Sequence, residues 1–394
     1  MPAARKAHLP ATAPNSATAM TLINNQSGVP HAFFEKSGLA GEPLDVLVVR
    51  ASFDLARNGD AVSLAAAQSP IVFGDVFAGP VAEHPLRAVV QQDGDLVPYK
   101  PGTDILVFGH AQAPEGRPHS HWQAGVRVGP LIKMLRLCGP RQFRHDLLGW
   151  RLENPRAVDR VALDYRLAYG GCIDIPAHLN PDAEPDTLQH PSNPAGCGWL
   201  PSDAQVKQLA KPAQRYVNRW IAAQSALPAP QIEAIKTPIR HPQQNLAPQG
   251  LGPLARWWAP RVGYQGSYDD HWRRSRYPLL PANFDNRYYQ SAPPDQIVTP
   301  HLRGDESVTL AGLLPEVAEM RLPGWRILAT VEHASGAISL SLPLLDTVRI
   351  DLDLRQVSLV WRAHFRRDDP AREISIAATT AKLIFDSEPV EVGA

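Results

Sequence analysis

The chain has 394 residues, and its 39 lysines and arginines balance 39 aspartates and glutamates, so its formal net charge at pH 7 is zero. A neutral chain lacks the basic surface on which general nucleic-acid binding depends, and no apolar run reaches the length of about 18 residues that a membrane-spanning helix needs. The 39 prolines are about twice the usual proportion and exclude a fold of long helices, because an interior proline costs a helix about 3 kcal/mol.

Three cysteines, Cys138, Cys172 and Cys197, form no C-x-x-C pair. An odd number without that spacing predicts neither a disulfide framework nor a zinc knuckle, so a reducing cytoplasm is the simplest location. Residues 1–19 carry no apolar run of signal-peptide length. We interpret them as a flexible tail, with Met20 as an alternative start.

The first strand candidate is Pro43–Leu55, which is rich in Val, Leu and Phe and stops before the turn dipeptide Asn58-Gly59. Residues Asp60–Leu64 then restart the pattern, and the two segments together predict a hairpin. The segment Asp104–His110 has the same strand-like content.

Residues Gly125–Cys138 also have a strand pattern, but Gly129-Pro130 interrupts it. The interruption predicts two strands around a tight turn. We expect Lys133 and Arg136 to lie on the more solvated face.

The composition changes to Pro, Asn, Gln and Ala in residues 173–245, which predicts an irregular insertion. Within it, Gln205–Ser225 predicts one helix that Pro212 would end or kink.

The clearest hairpin lies in Thr347–Phe365, TVRIDLDLRQVSLVWRAHF. Apolar residues alternate on both sides of a turn near Arg355-Gln356. A further strand is predicted in Glu373–Ile384. The residues expected to share the two apolar faces are Val348, Ile350, Leu352 and Leu354 before the turn, then Val357, Leu359 and Trp361.

These segments predict a mainly β fold of antiparallel sheets, sandwich-like or an open barrel, with long proline-rich ordered loops and a few short helices. After the tail 1–19 we divide the chain into an N-terminal β-rich part (20–172), the irregular insertion (173–245) and a C-terminal β-rich part (246–394). We expect the two β-rich parts to pack as one unit.

Two motifs resemble ligand sites, but neither has the context that such a site needs. His110, His119 and His121 lie in one window, but no Cys or carboxylate at ligand spacing completes a zinc site. GLGPLA (Gly250–Ala255) matches the dinucleotide fingerprint, yet no strand precedes it and Pro253 lies inside it. We therefore expect no metal and no cofactor.

The run GSYDDHW (Gly266–Trp272) is the most enzyme-like stretch. Asp269, Asp270 and His271 have the side-chain types of an acid/base set, which keeps a carbohydrate-active or other hydrolase as an alternative function. Adjacency in sequence does not make a catalytic triad. The structural interpretation is that the aromatic residues pack and Asp269 caps a turn or helix start.

The same region, RWWAPRVGYQGSYDDHW, is dense in tryptophan, tyrosine and arginine. This composition is typical of protein–protein hot spots, and it serves equally well in a loop-rich core. The candidate partner-binding residues here are Arg256, Trp257, Trp258, Tyr264, Tyr268, Asp269 and Trp272.

Lys100 and Asp104 complete the candidate set. Pro98 and Pro101 restrict the backbone around Lys100, and a Gly-Thr-Asp turn follows before the strand. We interpret the pair as more architectural than catalytic.

Several motifs together resemble an uncharacterised-domain family of type VI secretion accessory proteins, which are encoded beside VgrG spikes, PAAR-tip proteins and toxic effectors. The similarity runs in order from about Met20 to about Phe365. The motifs are PYKPGTD (Pro98–Asp104), YGG (Tyr169–Gly171), NPAGCG (Asn193–Gly198), GSYDDHW, LPANFD (Leu280–Asp285), SAPPDQ (Ser291–Gln296), LRGDE (Leu302–Glu306), LDTVRI (Leu345–Ile350) and LVWR (Leu359–Arg362).

The resemblance implies a non-enzymatic, cytoplasmic effector chaperone or adaptor. Its partner would be the N-terminal or PAAR-containing region of a type VI effector, together with VgrG as a further candidate, and neither nucleic acid nor a membrane is implied. A structural component of the injected spike is a third hypothesis.

Overall fold

The structure is a computed structural model that describes residues 21–79, 85–179 and 187–380. The predicted tail 1–19, Met20 and residues 381–384 of the predicted last strand lie outside the described residues. No helix among the described residues is long and apolar enough to cross a membrane.

The strands of the described residues follow in chain order. The N-terminal ones are β1 (Leu22–Asn25), β2 (His31–Ser37), β3 (Pro43–Asp54), β4 (Ser63–Leu64), β5 (Val76–Phe77), β6 (Val90–Gln92), β7 (Thr103–Phe108), β8 (His110–Gln112), β9 (His121–Val128), β10 (Leu131–Cys138), β11 (Arg141–Asp146), β12 (Gly149–Leu152) and β13 (Arg160–Ala162). The later ones are β14 (Tyr169–Gly170), β15 (Cys172–Asp174), β16 (Thr187–Gln189), β17 (Cys197–Gly198), β18 (Ala226–Ala229), β19 (Ile232–Glu233), β20 (Ile297–Val298), β21 (Ser307–Ala311), β22 (Ala318–Arg321), β23 (Arg326–His333), β24 (Ile338–Ser341), β25 (Leu344–Asp351), β26 (Gln356–Arg366) and β27 (Ala371–Thr379).

The helices are few and short, so the fold is mainly β as predicted. The α-helices are α1 (Asp203–Lys207), α2 (Lys211–Ala222) and α3 (Asp270–Ser275). The 3-10 helices are Pro85–Arg87, Pro114–Gly116, Tyr165–Leu167, Ala177–Leu179, Arg261–Tyr264, Asn286–Tyr289 and Pro294–Gln296.

The single helix predicted for Gln205–Ser225 is two helices. Ser202 caps α1 in a reciprocal capping box with Gln205. The helix then ends at Lys207, and α2 begins at Lys211. Pro212 lies in the first turn of α2, where its missing N–H leaves no helical hydrogen bond unmade.

The central sheet contains seven strands in the order β2-β3-β26-β25-β7-β20, with β4 paired to β3. The predicted hairpin forms its middle: β25 and β26 pair antiparallel, with Val348 opposite Leu359. Strand β7 runs parallel to β25, which the prediction of antiparallel pairing did not anticipate. Leu354 was expected on the apolar face but lies in the turn, exposed, because β25 ends three residues earlier.

Two further sheets share one hydrophobic core with the central sheet. The five-stranded sheet has the order β19-β10-β9-β21-β22 and the four-stranded sheet β1-β27-β23-β24. Leu47 of β3, Leu135 of β10 and Ile374 of β27 belong to the same buried cluster. Each of these sheets has free end strands, so the arrangement among the described residues is sandwich-like and no barrel closes.

The predicted turn at Gly129-Pro130 joins β9 to β10, with Val128 opposite Leu131. The placement of Lys133 and Arg136 on one face was wrong, because side chains three apart in a strand point to opposite faces. Lys133 is buried, with Nζ hydrogen-bonded to Gln249 at 3.0 Å, whereas Arg136 is half-buried.

The central sheet is covered on its second face as well. In β3, Leu47 and Ala51 face the shared core, while Arg50 and Ser52 alternate to the other side, where they are also buried. The segment that follows β4 covers this side, since Arg50 Nη1 donates to the Pro70 carbonyl at 3.0 Å. The charge of Arg50 is therefore withdrawn from solvent.

A close backbone approach at Gly312 gives a test of the fold. A Cβ there would lie 2.1 Å from the Gln123 carbonyl oxygen, and φ is +59°. Gly59 has φ of +81° with open space around it. We expect Gly59→Ala to cost about 1–2 kcal/mol from left-handed backbone strain alone, and Gly312→Ala to cost several kcal/mol in chemical denaturation. Equal losses would contradict the described packing of β21 against β9.

Candidate functional site

Lys100 and Asp104 form an ion pair in the interior. Lys100 is 2% and Asp104 0% exposed, and Lys100 Nζ donates to Asp104 Oδ2 at 2.8 Å and to Thr347 Oγ1 at 3.0 Å. The same carboxylate oxygen accepts the Ser291 N–H at 2.9 Å. The pair therefore joins β7, β25 and the loop after the 3-10 helix Asn286–Tyr289, and it has no surface of its own.

The pair belongs to a larger set of buried charges, here called the ionic layer, on the second face of the central sheet. Arg349 Nη2 meets Asp95 Oδ1 at 2.9 Å, and Arg362 Nε meets Asp346 Oδ2 at 2.5 Å. Arg362 Nη1 also donates to the carbonyl of Asp95 at 2.6 Å. The strands thus hold the segment that follows β4 and contains Asp95, here called the covering loop, through charge-assisted hydrogen bonds.

Asp93 carries the ionic layer towards the surface. Arg261 donates two hydrogen bonds to the Asp93 carboxylate, from Nη1 to Oδ1 at 3.1 Å and from Nη2 to Oδ2 at 3.2 Å. Burial would by itself raise the pKa of the Asp93 carboxyl, but the charges of Arg261, Arg256 and Lys100 hold it below its ordinary value. The pKa of Asp346 is lowered in the same way, against burial, by Arg362 and Lys100.

The first half of the aromatic stretch supports this layer. Trp258 is fully buried with its ring edge-on to Tyr165, and Trp257 and Trp258 both donate their indole N–H to the Leu86 carbonyl, at 3.0 and 2.9 Å. Arg256 Nη2 bonds Asp75 at 3.1 Å. These three candidates fix the covering loop, and only Arg256 and Trp257 reach the surface.

The second half lies on the outside. Asp269 caps α3 by accepting the Trp272 N–H at 2.8 Å, and Trp272 packs against Tyr268 with ring centroids 4.8 Å apart. Asp270 and His271 are exposed on the short helix. The acid/base set of the hydrolase hypothesis is thus spread over an exposed helix start, with one carboxylate engaged as a cap.

Tyr264 lines a groove that the sequence did not indicate. The groove consists of two adjoining hollows. The first has a volume of about 420 Å³ and the second about 300 Å³, and Leu254, Pro260 and Pro294 line both. We call the two together the Tyr264 groove. The first hollow is lined by Pro101, Leu254, Pro260, Arg261, Tyr264, Arg287, Gln290, Ala292, Pro294, Ile297 and Thr299.

Two short 3-10 helices, Arg261–Tyr264 and Asn286–Tyr289, form part of the groove wall. Asp285 caps the second one by accepting the Arg287 N–H at 2.8 Å, and its carboxylate binds the Arg287 guanidinium at 2.6 Å. The guanidinium stacks 4.4 Å from the centre of the Tyr264 ring. Arg261 Nε donates to the Tyr288 carbonyl at 2.9 Å and joins the two helices.

Arg287 and Gln290 are thus site residues that the sequence reading missed. A signal for Arg287 exists in LPANFD followed by Asn-Arg, because an Asp side chain commonly accepts a hydrogen bond from the backbone N–H two residues on, in an Asx turn. Nothing local in the sequence marks Gln290. Of the predicted residues, the groove brings Tyr264 to Pro101, next to Lys100, while Tyr268, Asp269 and Trp272 form a separate cluster on α3.

No group of three or more His, Cys, Asp or Glu side chains among the described residues is arranged to hold a metal ion. His110 instead contacts Asp353, with Nδ1 2.9 Å from the carboxylate.

Comparison with known protein families gives a match over most of the chain. The model of a family described as an uncharacterised protein conserved in bacteria (DUF2169) covers residues 40–362, which include the ionic layer and the Tyr264 groove. No curated protein and no solved structure matches the chain.

Removal of one charge tests the ionic layer. Lys100→Met leaves the Asp104 carboxylate buried without its counter-charge, and we expect a loss of about 3–5 kcal/mol in the free energy of unfolding. The matched control is Arg273→Met, which removes an exposed partner of Asp270 and should cost well under about 1 kcal/mol. Urea denaturation measures both, and a small effect at Lys100 would contradict a structural role.

The lowered pKa values of Asp93 and Asp346 predict acid sensitivity. A carboxyl whose folded pKa lies below its unfolded value of 3.8 contributes stability that is present above about pH 4 and is lost as the pH falls through the folded pKa. We expect the free energy of unfolding to fall below about pH 4, and Asp346→Asn to flatten that fall relative to Asp270→Asn. Parallel pH profiles for the two variants would rule out the Asp346 contribution.

Proposed function

We propose, from the premise that the chain belongs to the bacterial family of uncharacterised proteins DUF2169, that it is a type VI secretion accessory protein. It acts as a chaperone or adaptor that binds the N-terminal or PAAR-containing region of a cognate effector in the cytoplasm. It then loads the effector on the VgrG/PAAR spike. In this proposal the protein performs no catalysis.

The observation that carries the proposal is the Tyr264 groove. It is open, mostly apolar and walled by proline loops, and the two 3-10 helices beside it are tied together by the Arg261 hydrogen bond. A preformed surface lowers the ordering cost of association, because its loops need no rearrangement on binding. The motifs from PYKPGTD to LVWR, which occur in the order found in the type VI accessory family, support the same assignment by resemblance.

The hydrolase hypothesis has less support. Asp269 is committed to the cap of α3, and neither described hollow is lined by Asp269, Asp270 or His271. A carbohydrate-active hydrolase of the usual two-carboxylate type needs its carboxylates to face a shared cleft about 5–10 Å apart. The spike-component hypothesis differs in location, since that protein would leave the cell with secreted material.

Co-expression with each protein encoded beside it tests the proposal. We expect one effector to become soluble and to co-purify with this chain, because the adaptor covers apolar surface on the effector until loading. The matched control is the same effector without its N-terminal or PAAR-containing region, which should not co-purify. If no neighbouring protein binds or changes in solubility, the adaptor function is wrong, and if the chain itself is recovered among secreted proteins, the spike-component hypothesis replaces it.

A further inference from the structure

The Tyr264 groove has the features of a site built for one class of ligand. We infer that it binds an extended segment of a partner chain, and that it recognises a carboxylate next to an aliphatic side chain. The inference rests on the proposed function for the identity of the partner, but its chemistry comes from the groove alone.

The charges that line the first hollow have a single sign. Its lining residues include the guanidinium groups of Arg261 and Arg287 and no carboxylate. Arg261 is buried and is neutralised from behind by Asp93. Arg287 is 56% exposed, and its bonds to Asp285 use Nε and Nη2. Nη1 has no hydrogen-bond partner among the described residues, so the exposed guanidinium retains a donor for an anionic ligand.

Gln290 gives an independent indication of a ligand. It lines the same hollow and is 4% exposed, yet its side-chain Nε2 has no hydrogen-bond partner among the described residues. A buried donor without an acceptor costs free energy, and such groups are rare in native proteins. Because Nε2 is itself buried, the Gln290 amide must rotate towards the hollow to donate to a main-chain carbonyl of a bound segment, and that rotation would satisfy the donor.

The remaining lining selects apolar side chains. Leu254, Ile297 and Ala292 supply aliphatic surface, and the prolines of the wall have no N–H to satisfy. An aliphatic side chain bound here would remove apolar surface on both partners from water.

The outline favours an extended chain over a compact small molecule. The second hollow continues past Leu254, Pro260 and Pro294 to the ion pair between Lys133 and Asp295. An extended segment places successive side chains on opposite sides at about 3.3 Å per residue. A few residues therefore span both hollows, with the carboxylate at Arg287 and the main chain at Gln290.

The test uses the full chain and a phage-displayed library of random peptides of about 12 residues. Peptides selected on the unaltered protein are then measured by fluorescence polarisation against Arg287→Gln and Gln290→Met. We expect the selected peptides to share an acidic residue two positions from an aliphatic one, since such side chains lie on the same side of an extended segment. Both variants should bind these peptides about tenfold more weakly or worse. Controls are Arg273→Gln and Gln208→Met, exposed positions outside the groove, which should leave affinity unchanged.

Thermal unfolding shows whether the Gln290→Met variant, which is changed at a buried position, still folds. If that variant does not fold, Arg287→Gln still tests the site, because Arg287 is exposed. Peptides that bind with equal affinity to Arg287→Gln would overturn the site. Displacement of the peptides by millimolar acetate would overturn the extended-segment reading in favour of a small carboxylate.

The two proposals fail separately. An effector that co-purifies equally well with Arg287→Gln removes the groove and leaves the adaptor function standing. Peptides that bind through the groove when no neighbouring protein co-purifies leave the groove standing and remove the adaptor function.

Discussion

The burial of charge on the second face of the central sheet is the constraint from which the rest of the structure follows. A sheet face that carries Arg50, Arg349 and Arg362 is stable in the interior only if acceptors meet each guanidinium. The covering loop supplies them, through the carboxylate of Asp95 and the carbonyls of the same segment. Because a misplaced loop would leave several charges unpaired at once, the ionic layer specifies one loop conformation.

This layer also explains how an interior ion pair relates to a surface site. Asp104 holds Ser291, whose neighbour Ala292 lines the Tyr264 groove, and Lys100 precedes Pro101 of the same wall. Arg261 spans the distance between Asp93 in the layer and the groove itself. The groove thus lies against the ionic layer, and the buried carboxylates of Asp93 and Asp104 hold residues of its wall in place.

Local pattern predicted the elements well and their assembly only in part. The hairpin of β25 and β26, the turn at Gly129-Pro130 and the strand β3 follow from alternation and turn chemistry, which act over a few residues. The parallel pairing of β7 with β25 joins distant segments and leaves no local trace.

The residues of the candidate site were likewise predicted only in part. Composition marked the Trp/Tyr/Arg stretch, but it did not separate Trp258, which is core, from Tyr264, which lines the groove, because both uses favour large side chains with a hydrogen-bonding atom. Gln290 became visible only when the burial of its unpaired amide was known.

The pairing of β3 with β26, in which Leu47 lies opposite Ala363, has a consequence for how the protein is made. Strand β3 emerges from the ribosome long before β26, its partner in the middle of the sheet. Contacts of such sequence separation slow folding, and an apolar strand that waits without its partner is prone to aggregate. The chain as far as Arg366 must therefore be synthesised before β3 and β26 can pair along their whole length, so the central sheet cannot close while the segments between them emerge.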